Sequence, residues 1–184
     1  MSTKYKFEDQ NKIYFVSFAV VDWIDVFIRP LYKDIFVESL KYCQENKGLE
    51  LYAWCVMTSH IHLIIGTNGT EKLENIMRDL KKFTSKNIHN AIQKNPQESR
   101  KEWLLEAFKQ AGIRNSNNTN FQFWQQDNHP IALNTYTMSE QKLNYLHENP
   151  VKEGFCFEPQ MYPYSSAIDY QGGKGLLDIL FLFG

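Results

Sequence analysis

Hydrophobic positions along the chain fall into two rhythms: short apolar runs, and longer stretches in which apolar residues return every three or four positions. The run IYFVSFAVV, residues 13–21, is aromatic and β-branched and predicts a buried strand. Residues 31–47 repeat Leu31, Ile35 and Leu40 at helical spacing, with Phe36 and Cys43 fitting the same helix. Pro30 suits its first turn, and Asn46-Lys47-Gly48 suits its end. Residues 49–57 and 60–66 read as two more strands. Only Thr58 and Ser59 separate them, so they predict an antiparallel hairpin, although Thr-Ser is not the usual pair for so tight a turn. A second amphipathic helix follows, with Leu73, Ile76, Met77, Leu80, Phe83, Ile88 and Ile92 on one side and Arg78, Lys81, Lys82 and Lys86 mostly on the other.

Beyond it, WLLEAFKQAG predicts a short helix and IRNSNNTN a polar loop. Residues 121–133 contain the expected fourth strand, interrupted at Asn128–Pro130. Residues 139–150 form a further helix, stopped near Pro150. The order β-α-β-β-α-β predicts an α+β, ferredoxin-like domain, an antiparallel sheet with helices on one face and an additional C-terminal helix. One domain is expected over residues 1–184, with a core of about 13–150 and an extension of 151–184. The apolar end of that extension, LLDILFLFG, is expected to pack back on the domain or against a second copy, and it favours a homodimer.

Composition narrows the setting. Cys43, Cys55 and Cys156 are widely separated without a CxxC spacing, so neither a disulfide framework nor a thiolate metal site is suggested, and a reducing cytosol fits. The opening MSTKYKFEDQNKIYF lacks the apolar segment of a secretion signal, and no run of 18 apolar residues occurs, so no membrane partner is expected. Net charge is −1, yet residues 71–114 hold ten Lys/Arg against six Asp/Glu, which concentrates basic charge on one segment. The 13 Phe, 10 Tyr and 4 Trp serve either a core or stacking surfaces, and composition does not separate the two.

Candidate chemistry begins at SHIHLII. On a strand, His60 and His62 point to the same face and could chelate one divalent ion, although two strand histidines with ordinary hydrogen bonds explain the spacing equally simply. Such a pair needs a third ligand and an open position. In NYLHENP, Tyr145 and Asn149 stand four apart and share a helical face, while His147 points elsewhere. Asn149 could give its amide oxygen to a hard cation, and Tyr145 could place its hydroxyl beside that ion as a nucleophile. The plainer alternative makes Tyr145 a rim aromatic and Asn149 a helix cap before Pro150.

The stretch AWCVMTSHIHLII resembles the W-x-V-M-x-x-H-x-H strand pair of the HUH single-strand DNA transposases, and MRDLKKFTSKNI resembles the helix that follows it there. YLHENPVKEGF with YPYSSAIDY is similar to the C-terminal signature of the REP-associated tyrosine transposases and their insertion-sequence relatives. With these motifs in order from about Ile13 to Tyr170, the chain is identified as a member of that family. The resemblance implies His60 and His62 as the metal-binding pair around Ile61, Tyr145 as the catalytic tyrosine, and Asn149 as the residue completing a Mg²⁺ or Mn²⁺ site. It implies cleavage and rejoining of hairpin-bearing single-stranded DNA through a 5′-phosphotyrosine, in the bacterial cytoplasm. Two imidazoles and an amide are moderately soft donors, so Mn²⁺ is expected to serve at least as well as Mg²⁺.

Arg78, Lys81, Lys82 and Lys86 are candidates for phosphate contacts, and Trp124 and His129 for further DNA contacts near the site. Relatives are often strongly basic with an Arg-rich C-terminal part, whereas this chain has NPVKEGF. That departure favours reading a folded hairpin by shape over a broad electrostatic grip. A non-catalytic hairpin DNA- or RNA-binding protein on the same scaffold is the alternative. Relatives include dimers that pair one chain's tyrosine with the other's histidines, and monomers that build the site within one chain.

Overall fold

The computed structural model describes residues 7–115, 120–126 and 130–183. Strands β1 (Tyr14–Ala19), β2 (Leu49–Val56), β3 (His60–Thr67) and β4 (Ile131–Ala132) form one antiparallel sheet in the order β2-β3-β1-β4. Helices α1 (Pro30–Lys47) and α2 (Leu73–Lys94) pack on one face. Helix α3 (Lys101–Ile113) stands against α2, and α4 (Tyr136–Lys152) lies on the opposite face. The fold is therefore α+β with a four-stranded antiparallel sheet, α1 and α2 on one face and the additional C-terminal helix, α4, on the other.

Alternation along the strands divides the interior. Tyr14, Val16 and Phe18 of β1 and Ile61, Leu63 and Ile65 of β3 point into a large core with α1 and α2. Phe15 and Ile64 point the other way, into a smaller cluster with Leu143 and Leu146 of α4. In β2 the register against β3 slips between Leu51 and Ala53, so Tyr52 is an extra residue. Leu49 and Leu51 before the bulge and Trp54 and Val56 after it all reach the large core, leaving Ala53 and Cys55 for the small one.

Helix α1 begins at its proline and ends at Gly48, whose φ of 73° suits the left-handed C-terminal cap. Its inward face is Tyr32, Phe36, Val37, Leu40 and Cys43, so Leu31 is exposed rather than a core residue; Phe83 of α2 is exposed likewise. The fourth strand is shorter than expected. Among the described residues only Ile131 and Ala132 of β4 pair with β1, and Trp124 adds a bridge to Val20. Pro150 does not stop its helix. It sits buried inside α4, and the chain turns out only at Gly154, with φ 77°.

The C-terminal extension packs back on its own chain along the edge of β2. Val56 N–H donates to Tyr164 O at 2.9 Å, Ser166 N–H to Trp54 O at 3.0 Å, and Leu180 N–H to Leu51 O at 2.9 Å. These bonds occupy backbone groups that an edge strand would otherwise offer to a second chain. Leu177 fills the large core, and Leu182 and Phe183 rest on the small cluster. No helix among the described residues is long and apolar enough to cross a membrane.

Candidate active site

The turn that launches β3 is held from outside. Neither Thr58 nor Ser59 adopts the positive φ of the favoured two-residue hairpin turns. The segment after β1 secures their carbonyls: Val20 N–H donates to Ser59 O and Phe27 N–H to Thr58 O, both at 2.8 Å, while Met57 N–H donates to His60 O at 2.9 Å. His60 thus opens β3 at a fixed place. Its ring centroid lies 4.7 Å from that of His62, on the α4 face of the sheet. Nδ1 of His60 is 3.2 Å from Ser59 Oγ, and the His62 ring stacks on Phe15 at 5.6 Å.

Helix α4 brings the other two residues to this pair. Asn149 is buried with its Nδ2 3.1 Å from His62 Nε2, and the Tyr145 ring stands edge-on to His62 at 5.2 Å. His62 is 2% exposed and Tyr145 43%, so the His62 imidazole is roofed, His60 is half-buried, and the phenol faces solvent at the rim. All four groups belong to one chain. His147 points away as expected, its Nε2 2.9 Å from buried Ser166 Oγ.

Two lysines join them that the sequence reading did not single out. Lys142 Nζ lies 4.9 Å from the Phe15 ring centroid and 5.7 Å from that of Tyr145, and Lys152 Nζ lies 5.9 Å from the Tyr145 centroid. The signal was available. Lys142, Tyr145, Asn149 and Lys152 are spaced three, four and three apart, a single stripe along one helix.

Burial favours the neutral form of both imidazoles. Burial pushes His62 from 6.5 down to about 3, and neighbouring His60 and Lys142 push the same way. Burial also lowers His60, while Glu153, Asp25 and a hydrogen bond donated by its ring to Asn149 partly oppose it. A neutral imidazole offers a ring-nitrogen lone pair, the form that binds a metal. Among the described residues no cluster of three His, Cys, Asp or Glu could hold an ion, so an ion beside this pair would need a third donor of another kind. Cys55, paired with His62 across the strands, is buried with its thiol pushed far up, and is no thiolate ligand. The Asn149 amide fits, because it already reaches His62 Nε2 and can present its oxygen by a half-turn. His62 Nδ1 is buried without a hydrogen-bond partner among the described residues, so what orients this ring is Phe15 and Asn149.

The remaining DNA-contact candidates do not converge here. Lys82 and Lys86 line a groove of about 1140 Å³ between α1 and α2, on the face of the sheet away from the histidines. Arg78 is engaged on its own helix with Asp79 and Asn75, and Lys81 donates to Gln125 O at 2.8 Å. Trp124 must be corrected: it is 6% exposed, packs against Phe18, Phe27 and Phe123, and donates from Nε1 to Thr84 Oγ1 at 3.1 Å. Its ring is a core element with no face open to a base. His129 lies outside the described residues.

The sequence profile of the family described as Transposase IS200 like matches residues 22–111, a span that contains both histidines and ends before α4. Over that span, just under half of its length, the chain is similar to the IS200-like transposases. That match supports DNA strand-transfer activity in general. The solved structure of a REP-associated tyrosine transposase bound to a REP hairpin superposes with a TM-score of 0.66 at 15% identity, covering 100% of this chain and 96% of that one. At such identity the likeness establishes a shared fold. A candidate transposase from Deinococcus radiodurans R1 overlaps more loosely, with a TM-score of 0.44 at 18% identity over 80% of this chain and 97% of that one. No curated protein sequence matches the chain.

Proposed function

We propose that the protein cleaves and rejoins single-stranded DNA beside a hairpin, with Tyr145 as the nucleophile and His60, His62 and Asn149 holding a Mg²⁺ or Mn²⁺ ion. The observation that carries this reading is the meeting of Tyr145 and Asn149 with the two neutral imidazoles, although 87 positions separate His62 from Asn149. The strand order β2-β3-β1-β4 supports the ferredoxin-like plan on which such a site is expected. The hairpin belongs to the relative of the same fold, which was solved bound to one. The convergence of a phenol with three metal-type donors favours catalysis over passive hairpin binding.

The residues divide the work by position. Tyr145, at the rim, meets the strand as it enters, and its oxygen attacks the phosphorus. The bond from phosphorus to the 3′ oxygen breaks, the phenolic proton ends on the freed 3′-OH, and the 5′ side stays on Tyr145 as a phosphodiester. A second 3′-OH reverses the step and rejoins the strand, so the ester energy is conserved without hydrolysis. When bound, the ion would supply Lewis-acid polarisation of the scissile phosphate. Lys142 and Lys152, beside Tyr145, are placed to bind the phosphates that flank it. Phe15 and the β3 backbone keep the imidazoles in place, and Asn149 links them to the helix that carries the nucleophile.

Incubating the protein with labelled hairpin-flanked single-stranded DNA and Mn²⁺ tests the reading. A covalent protein–DNA adduct is expected, lost on chelation and abolished by Tyr145→Phe, while hairpin binding persists in both cases. Undiminished adduct in the Phe variant would contradict the assignment.

A further inference from the structure

We infer that the strained corner at Asp22 and Trp23 holds the Trp23 indole as a stacking platform for one unpaired base of the bound strand, beside the phosphate that Tyr145 attacks. The inference rests on the single-strand reading proposed above.

Asp22 and Trp23 have φ of 53° and 54°, and they are the only positive-φ residues other than glycine among the described residues. Tryptophan is poorly suited to that region, and consecutive residues there persist only where their surroundings over-determine them. The surroundings do so. Val21 N–H donates to Phe123 O at 2.8 Å, Trp23 N–H to Val20 O at 3.1 Å, and Ile24 N–H to Val21 O at 3.2 Å. Val21, Ile24, Val26 and Phe27 are buried, and Asp22 is ion-paired with Arg114 at the end of α3.

All this anchoring serves a side chain that is itself 58% exposed. A corner built for packing would turn its largest residue inward. Instead the indole stands 5.3 Å from the His60 ring at an interplanar angle of 64°, while most of its surface faces solvent. Trp103 provides the contrast. It is as exposed, but it sits on the regular helix α3, away from any strained backbone, as an ordinary surface aromatic.

A polar cleft of about 540 Å³ adjoins the corner, lined by Asp22, Arg114, Asn115, Gln122, Gln125 and Gln126. Amide and guanidinium groups are the side chains that hydrogen-bond base edges. An aromatic platform beside a polar cleft suits an unstacked nucleotide, with stacking fixing its position. Because every base has a π-face, Trp23 sets where the strand sits more than which base it carries. Trp23 is therefore a positioning residue, acting on register at the cleaved phosphate.

The test uses full-length protein carrying Tyr145→Phe, so that binding is measured without cleavage. The probe is a DNA hairpin with a single-stranded flank, selected by the wild-type protein from a library with randomised flanks. Trp23→Ala is expected to weaken binding roughly ten- to hundredfold, Trp23→Phe to recover most of the loss, and Trp103→Ala to change nothing. An abasic nucleotide is then moved along the flank. At one position, next to the mapped cleavage site, wild type and Trp23→Ala should bind equally, because there is no base left to stack. A Trp23→Ala penalty that persists at every abasic position, or no penalty at all, overturns the platform while leaving the cleavage reading intact. A wild-type protein that retains no hairpin-flanked strand overturns both.

Discussion

The two faces of the sheet are built from the same three strands and treated in opposite ways. Toward α1 and α2, β1, β2 and β3 present an unbroken apolar surface, closed by Trp54, Phe36, Phe108 and Phe123. Toward α4, the same strands present Phe15, Ala53, Cys55 and Ile64, and then the cluster gives way to His60, His62 and Asn149. Burying imidazoles there gives up apolar contact, so the stabilising core lies on one face and the proposed chemistry on the other. A single alternating strand serves both, because adjacent residues point to opposite sides.

Paired substitutions should separate the two faces. Trp124→Ala opens a cavity in the large core and removes a partner from Thr84, and is expected to cost about 3–5 kcal/mol in denaturant unfolding. At low temperature the remaining folded fraction should still form adduct. His62→Gln should do the reverse, costing far less stability while reducing adduct to background. If His62→Gln retained metal-dependent adduct, or if Trp124→Ala lost it in protein that is demonstrably folded, the division between faces would fail.

A smaller difference is expected between two pairs of lysines. Lys142→Ala and Lys152→Ala should each weaken single-strand binding and each lower the salt slope by about 0.7, the value for one phosphate contact on a single strand. Lys82→Ala and Lys86→Ala, on the α1–α2 face, should leave affinity within about twofold. Equal losses from both pairs, measured as affinity against salt, would show that DNA wraps the back of the sheet.

The smallest effect concerns pH. Burial lowers the pKa of His89, whose ring stacks on Phe121 at 4.0 Å. The unfolded chain binds that proton more readily, so the contribution is complete above the unfolded value of 6.5 and declines as pH falls below it. Thermal unfolding of metal-free protein should therefore show His89→Gln losing less stability than wild type on acidification. An identical decline in both would assign the effect to other groups.

Much of the architecture was legible because periodicity reports burial directly. The two long helices, the hairpin and the face shared by His60 and His62 all follow from it. Pro150 was misread because the local rule against internal proline ignores how firmly packing holds both ends of α4. Trp124 looked like a recognition residue because an aromatic in a polar stretch carries no sign of its direction, and only the bridge to Val20 turns it inward. Lys142 and Lys152 were readable from spacing once Tyr145 was chosen. Trp23 was not, because nothing in VVDWIDV announces a left-handed corner at two residues that disfavour it.

The central claim is that the α4 face performs a covalent step through one named oxygen. Trypsin digestion of the adduct, followed by mass spectrometry, tests it directly, since cleavage after Lys142 and Lys152 releases residues 143–152, LNYLHENPVK, with Tyr145 its only tyrosine. The nucleotide mass is expected on that peptide, fragmenting to Tyr145. Nucleotide on any other tyrosine, or DNA cut without a covalent peptide, would contradict it.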